Sequence, residues 1–437
     1  MSLKKMPSKK MNLWGAVAIG IGGMVGGGIF AVLGLAVNFA QGATPVAFFI
    51  AGVIALITGY SYSKLSVHIP SRGGTVTFID QTFGTCLFSG GMNNLLWISY
   101  IVMLSLYASA FGSYAAGLAL NNPVMDPVVL KHVFITAVLI LSAVLNFASA
   151  RLLGTVETVV VVIKLSMLAF FIVLGLVFLP ANANSAQLAP GNWESIIKII
   201  AGGMIIFLAY EGFELIANTA LDISDPSRNL PRAYFISIIV VIVLYILVAI
   251  VTVGSLPFQQ IAEAQDYALA AAAKPFMGEL GYTLIAITAL LSTFSAINAT
   301  YYGGSRVSVT ISEDDELPYA LTRKVFGQPI GLIITTVLAL LSANLMNLES
   351  ISTSGSAGFL LIFAVVNAAN YRQAKNIGSN RFIAMLGVIL CLAAVFVLMI
   401  QQFTTNLVGA LVVLGMVIGS FLIELIYKRK EYGHAHE

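Results

Sequence analysis

Three ionisable residues fall inside segments that are otherwise almost wholly apolar. Lys164 lies in TVVVVIKLSMLAFFIVLGLVFL, Thr158 to Leu179, and Glu211 and Glu214 lie in GGMIIFLAYEGFELIANTALDI, Gly202 to Ile223. A lysine or carboxylate at bilayer depth costs on the order of 3 kcal/mol on insertion scales, so such groups face the protein interior and mark ion or substrate paths. Burial opposes their charged forms, and each could take up and release a proton. Plainer readings stay open beside this one. Lys164 could snorkel, since nine residues from the start of its segment rise only about 14 Å. The glutamates could pair with Lys164 or Arg306, or cap a helix end.

A second kind of chemistry comes from glycine. The first membrane-length segment contains GIGGMVGGGIF, Gly20 to Phe30, with six glycines in eleven positions. Glycine lets a backbone leave helical geometry and lets other groups approach it. Inside a bilayer a broken helix is tolerated only where it packs within protein or lines a cavity. Close packing of the small-xxx-small kind explains such a run taken alone, but it does not explain the acidic interruption in the sixth segment. Paired interruptions in corresponding segments point to a site built from two broken helices. The amides of Gly26, Gly27 and Gly28 then open a half-helix whose positive end suits a carboxylate. Carbonyls near Phe207, Leu208 and Glu211 close a half-helix whose negative end suits an ammonium. The two together describe a zwitterion, most simply an α-amino acid.

The elements that position these groups are membrane helices. The chain has 437 residues, 59% hydrophobic and 9% charged, with a mean hydropathy of +0.94. Soluble domains carry roughly 25% charged residues. About twelve stretches reach the roughly 20 apolar residues a span requires. They are predicted near 11–40, 44–66, 85–119, 129–149, 155–180, 195–220, 232–254, 279–311, 330–346, 350–371, 382–401 and 405–427, with the third and eighth overlong and therefore tilted. Residues 11–180 and 195–371 are expected to form two repeats of opposite topology, with 382–427 as two additional helices. Between spans seven and eight, PFQQIAEAQDYALAAAAKPFMG is alanine-rich enough for short helices lying over one face. Cys86 and Cys391 are isolated, which argues against a disulfide framework, and no cleavable signal precedes the first span.

Basic residues set the expected orientation. Lys4, Lys5, Lys9 and Lys10 at one end, Lys428, Arg429 and Lys430 at the other, and most loop arginines fall on one side if both termini are cytoplasmic. Lys131, Lys198 and Lys274 fall on the other. That bias is what the positive-inside rule expects. The basic ends are too short to suggest nucleic-acid binding. Arg306, near the inner end of the eighth span, reads as a gate or snorkelling residue. His68, His132, His434 and His436 all lie in loops, span ends or the tail.

Several of these motifs resemble one family. GGMVGGGIF is similar to the first-helix signature of the amino acid–polyamine–organocation superfamily. AYEGFELIANTALDISDPSRNLPRA, Ala209 to Ala233, resembles its sixth helix and following loop, and INATYYGGSRVSVTISEDDELP fits its Arg-to-Leu-Pro pattern, although Ser312 and Glu313 replace a usual Ala-Arg pair. The likeness covers nearly the whole chain and is closest to prokaryotic ApcT-like amino acid transporters. It implies an all-α LeuT-like fold: twelve transmembrane helices in two five-helix inverted repeats plus two more. In ApcT-like members a fifth-helix lysine, here Lys164 followed by Leu165, fills the place of a sodium ion. Arginine/agmatine exchangers share the Gly212-Phe213-Glu214 pattern and place a proton-responsive glutamate at Glu214. This chain carries both groups, so which one couples is open. Those exchangers also carry an aromatic gate where this chain has Leu208; Phe207, one residue earlier, is a substitute.

The expected protein is a proton-coupled secondary transporter of amino acids in a prokaryotic inner membrane, with no metal, no other cofactor, no sodium requirement and no enzyme activity. Its partners are a small-molecule amino acid and the lipid bilayer. Substrate-contacting residues are expected at Met24, Gly26, Gly27, Gly28, Phe207, Leu208 and Glu211, with Met103, Leu104, Tyr107, Asn298 and Tyr301 choosing the side chain. An apolar lining there predicts neutral substrates, and a free Glu211 cationic ones. An exchanger, or a channel or amino-acid sensor on the same scaffold, is the alternative. An intramembrane protease, suggested by Gly355-Ser356-Ala357-Gly358, lacks a membrane histidine to activate its serine.

Overall fold

The computed structural model describes residues 10–119, 126–148, 153–313, 324–325 and 328–434. Within them nine helices are long and apolar enough to cross a membrane, and two further spans arise if each bent helix pair counts as one. Only helices that satisfy their own backbone groups suit such a solvent. The single helices are α3 (Thr44–His68), α5 (Leu87–Ala119), α6 (Pro127–Ala148), α7 (Leu153–Phe178), α9 (Pro226–Ser255), α11 (Ala268–Glu313), α13 (Leu348–Gln373), α14 (Arg381–Thr405) and α15 (Leu407–His434). A shorter apolar helix, α12 (Ile330–Leu345), stands where the ninth span is expected. The bundle is layered around α5 and α13, whose apolar windows are 89% and 83% buried, against 28% for α14 and α15. Phe382, Phe396 and Val408 on those outer helices present their side chains outward, as a lipid-facing surface requires.

The two bent pairs fall where the sequence is interrupted. The first is α1 (Leu13–Met24) and α2 (Gly28–Ala40), bent by 46° across Val25 to Gly27. The second is α8 (Ile196–Ile205) and a 3-10 helix, Phe207–Thr219, bent by 44°. Its break is at Ile206, ahead of the acidic residues, so Glu211 and Glu214 lie within the second half and not at the interruption itself.

Two further elements differ from simple spans. The long α11 contains a non-helical residue, Gly278, at φ 65°. Its first part, with α10 (Phe258–Ala264), forms the short helices expected over one face, and the spanning part begins after Gly278. Between α3 and α5 a short helix, α4 (Thr75–Phe83), was not foreseen; it starts after Gly74, whose φ of +51° only glycine tolerates easily.

Different contacts tie the elements together at the two ends of the bundle. At the end carrying the amino-terminal segment, Met11 N–H donates to Asp222 O at 2.9 Å and Ser224 N–H to Met11 O at 2.8 Å. Arg72 reaches Asp222 at 3.3 Å, but both side chains are more than half exposed; such pairs contribute at most about 1 kcal/mol. At the opposite end, Asp266 follows α10 and lies nearly buried. It accepts from Ser113 of α5 at 2.6 Å and pairs with Lys131 of α6. Gly34 of α2 packs directly on the backbone of Gln265, so the α10 segment lies over the first broken helix.

Candidate functional site

The site grows from the point where the two broken helices cross. Gly23, at the end of α1, lies on Gly212. A Cβ on Gly23 would sit 2.8 Å from Gly212 O, and one on Gly212 would fall inside the Gly23 carbonyl carbon and the Met24 amide. At Gly28 a Cβ would meet Ala209 Cα at 2.6 Å. The glycines thus serve two purposes: Gly26 and Gly27 occupy the break, while Gly23, Gly28 and Gly212 let two backbones touch.

A break inside a membrane frees carbonyls, and here donors from neighbouring helices take them. Lys164 Nζ of α7 donates to Gly22 O at 2.8 Å. Tyr245 of α9 donates to Met24 O at 2.6 Å and to Ala209 O at 3.0 Å, tying the two broken helices together. Ser292 of α11 donates to Val25 O at 2.9 Å and also to Gly26 O. On the second break, Ser352 and Ser356 of α13 donate to Ile205 O at 2.7 and 2.9 Å, and Ser356 Oγ accepts from Leu208 N–H at 3.1 Å. The serine of the Gly355-Ser356-Ala357-Gly358 motif therefore holds a helix break. Gly203 fits α8 closely against the Ala47 carbonyl, where a Cβ would lie at 2.7 Å. These contacts explain why the break falls at Ile206. Tyr245→Phe should cost about 1–3 kcal/mol by leaving two buried carbonyls without that donor, checked as a lowered melting temperature in detergent.

Below the crossing, Glu214 is held by three hydroxyls. Tyr62 of α3 donates at 3.3 Å and Thr75 of α4 at 3.0 Å to Oε2, and Tyr100 of α5 donates to Oε1. Tyr62 and Thr75 are themselves 2.8 Å apart. Rings pack around this cage: Phe213 lies 5.5 Å from Tyr62 and 5.1 Å from Phe363 of α13. Glu211 is equally buried, and its carboxyl faces that of Glu214. The unforeseen α4 is thus part of the site, since it carries Thr75.

One face of α5 runs past both carboxyls. Tyr100, Met103, Leu104 and Tyr107 share it at three- and four-residue spacing. Tyr107 packs on Gly27, where a Cβ would enter its ring, and Tyr100 holds Glu214. Met103 and Leu104 are buried between them. Phe207 packs on Phe363 at 5.8 Å, and Leu208 lies against Gly355. The remaining two expected residues point elsewhere. Asn298 Oδ1 accepts from Asn146 of α6 at 3.0 Å, and Tyr301 donates to Leu139 O of α6 at 3.4 Å. On α11 it is Ser292 and Ala296, one turn apart, that face the break. Sequence reading missed Ser292, Tyr245, Tyr62, Thr75 and Tyr100. Isolated hydroxyls in apolar helices were the available signal, but nothing local tied any of them to a break. The side chain of Arg306 lies outside those described.

Broken helices crossing at the buried centre of a membrane bundle define a membrane transporter. Comparisons with known proteins narrow that class. The pattern of the amino acid permease family matches residues 11–421. The chain is 36% identical over 428 residues to uncharacterized protein MJ0609 of Methanocaldococcus jannaschii, covering 97% of both, and 31% identical over 427 residues to the inner membrane transport protein YbaT of Escherichia coli, again covering 97% of both. In structure it resembles a manganese transporter of Eremococcus coleocola, with a TM-score of 0.63 over 96% of this chain and 94% of that one at 13% identity. The chain belongs to the amino acid permease family of the amino acid–polyamine–organocation superfamily. Its fold is the LeuT type, and it is a transporter, not an enzyme.

Proposed function

We propose that this permease is a proton-coupled secondary active transporter of amino acids working by alternating access. The crossing of the Gly22–Gly28 break with the Phe207–Glu211 turn is the observation that carries the reading. It offers the positive end of α2 to a carboxylate and buried acidic groups to an ammonium. Lys164 supports proton coupling without sodium: its ammonium reaches the Gly22 carbonyl at 2.8 Å, so a protein-borne cation bridges α7 to the first break. Losing its proton weakens that bridge and frees α1 to move. Glu214, tied by its hydroxyl cage to α3, α4 and α5, is a second proton-responsive tie.

The two sides of the break would open in turn, with residues 11–180 and 195–371 as the inverted repeats that move against each other. The basic-residue bias puts both termini in the cytoplasm of a prokaryotic cell. Met103, Leu104, Leu208 and Ala296 are buried apolar residues, and a site that used them would suit neutral side chains. Proteoliposome uptake is the test. An inward proton gradient without sodium should drive accumulation of a labelled amino acid above its external concentration. Strict sodium dependence would overturn the coupling, and absence of uptake with retained binding would favour a sensor. A thermal-shift screen over the amino acids should identify substrates as those raising stability.

A further inference from the structure

We infer that Glu211 and Glu214 form one proton-binding site, in which a single proton lies on Glu211 and is donated to the Glu214 carboxylate. Its part in coupling rests on the transport reading above; the site itself does not.

The two carboxyls are equally buried, each 3% exposed, and they are hydrogen-bonded to each other. An ionised carboxylate only accepts, so a hydrogen bond between two carboxyls needs a proton on one of them. Charge leads to the same count. Among the described residues neither glutamate forms an ion pair. Two touching carboxyls in a buried site do not both ionise, and such pairs hold one proton between them.

The hydroxyls decide which residue carries it. Tyr100 donates to Oε1 of Glu214, while Tyr62 and Thr75 reach Oε2 at 3.3 and 3.0 Å. Tyr62 and Thr75 are also 2.8 Å apart. If one of them gives its proton to the other, the second still gives its own to Oε2. Each oxygen of Glu214 therefore has at least one hydroxyl donor, and such donors favour an ionised carboxylate. Its remaining lone pairs leave room for the Glu211 proton. Among the described residues no hydroxyl donates to Glu211, so Glu211 is the acid and Glu214 the acceptor.

The other titratable groups around the pair are phenols: Tyr62 of α3, Tyr100 and Tyr107 of α5, and Tyr234 and Tyr245 of α9. Phenols keep their protons up to about pH 10. On α4, Asp80 turns to Asn93. Gly23 of α1 and Phe363 of α13 bring no charge, and Lys164 of α7 is engaged on Gly22 O. Position gives the proton its effect. Glu211 adjoins Gly212, which rests on Gly23 and Met24. Release of the proton takes the pair from one negative charge to two, and the repulsion acts one residue from the contact between the broken helices. Protonation of the pair and the fit of the crossing are therefore linked.

Infrared spectroscopy of the full-length protein in lipid tests the site without requiring transport. The difference between wild type and Glu211→Gln at neutral pH should contain one carbonyl band of a protonated carboxylic acid, lost in the variant. Glu211→Asp keeps the acid and should move the band, which serves if Glu211→Gln does not fold. Melting temperature and gel filtration establish folding. A band missing from the wild type, or unchanged in a folded variant, overturns the inference. The second arm is accumulation of labelled L-alanine, L-serine, L-leucine or L-lysine by proteoliposomes under an inward proton gradient. Loss of wild-type accumulation in folded Glu211→Gln gives the pair its part in coupling, and retained accumulation removes it. Failure of the wild type to take up any of the four, with the band present, strikes the transport reading and leaves the proton site standing.

Discussion

Gly212→Ala should abolish uptake. A methyl group there meets the Gly23 carbonyl carbon and the Met24 amide, both backbone atoms that no rotamer change can move aside. Overpacking of a tight interior costs typically 1–3 kcal/mol, occasionally more, and here relief requires the two broken helices to separate. That separation would pull Met24 O and Ala209 O apart, breaking the bridge that Tyr245 makes between them. The expected measurement is no transport above protein-free liposomes, with a lower melting temperature in detergent. Gly415→Ala provides the control, because a Cβ there meets nothing within 4 Å and alanine is the better helix former by about 1 kcal/mol. Normal uptake by Gly212→Ala would mean the crossing is looser in the membrane than its backbone contacts imply.

Lys164→Ala should remove proton-driven accumulation while leaving ligand binding measurable by thermal shift. The lysine is 1% exposed and its ammonium is on the Gly22 carbonyl, so truncation removes a cation and a donor together. Lys164→Arg distinguishes the two losses. Arginine keeps the charge and can donate, but it does not release its proton under any physiological condition. If coupling needs a proton to leave, Lys164→Arg should fail to accumulate substrate and still bind it. Accumulation by either variant at wild-type level would transfer the coupling role to Glu214, where Glu214→Gln is the next experiment.

These two predictions draw on different depths of information. Hydropathy alone located the spans, because a membrane helix must be apolar over its full length and satisfy its own backbone. The glycine run located the first interruption against this apolar background, and the pair of carboxylates marked the segment that carries the second without locating its break. Lys164 was legible for the same reason. The short helix α4 was not, because nine amphipathic residues between long spans carry no membrane signature of their own.

The finer site was legible only in part. Phe207 and Leu208 lie at the second break, but the sequence put the interruption on the glutamates, whereas the serines of α13 fix it at Ile206. Asn298 is expected among the residues choosing the substrate side chain, yet it turns toward Asn146 of α6. The helical phase of α11 decides this, putting Ser292 and Ala296 on the break.

By itself, the sequence determined that this is a polytopic membrane protein with two interrupted helices and three ionisable groups at membrane depth. Those features are local: composition and spacing within one segment specify them. Only the tertiary structure decided that Gly23 rests on Gly212, that Tyr245 holds both breaks, and that Glu214 sits in a hydroxyl cage while Glu211 does not. Each of these contacts joins residues from different spans, and no periodicity within a helix records which face will meet which neighbour.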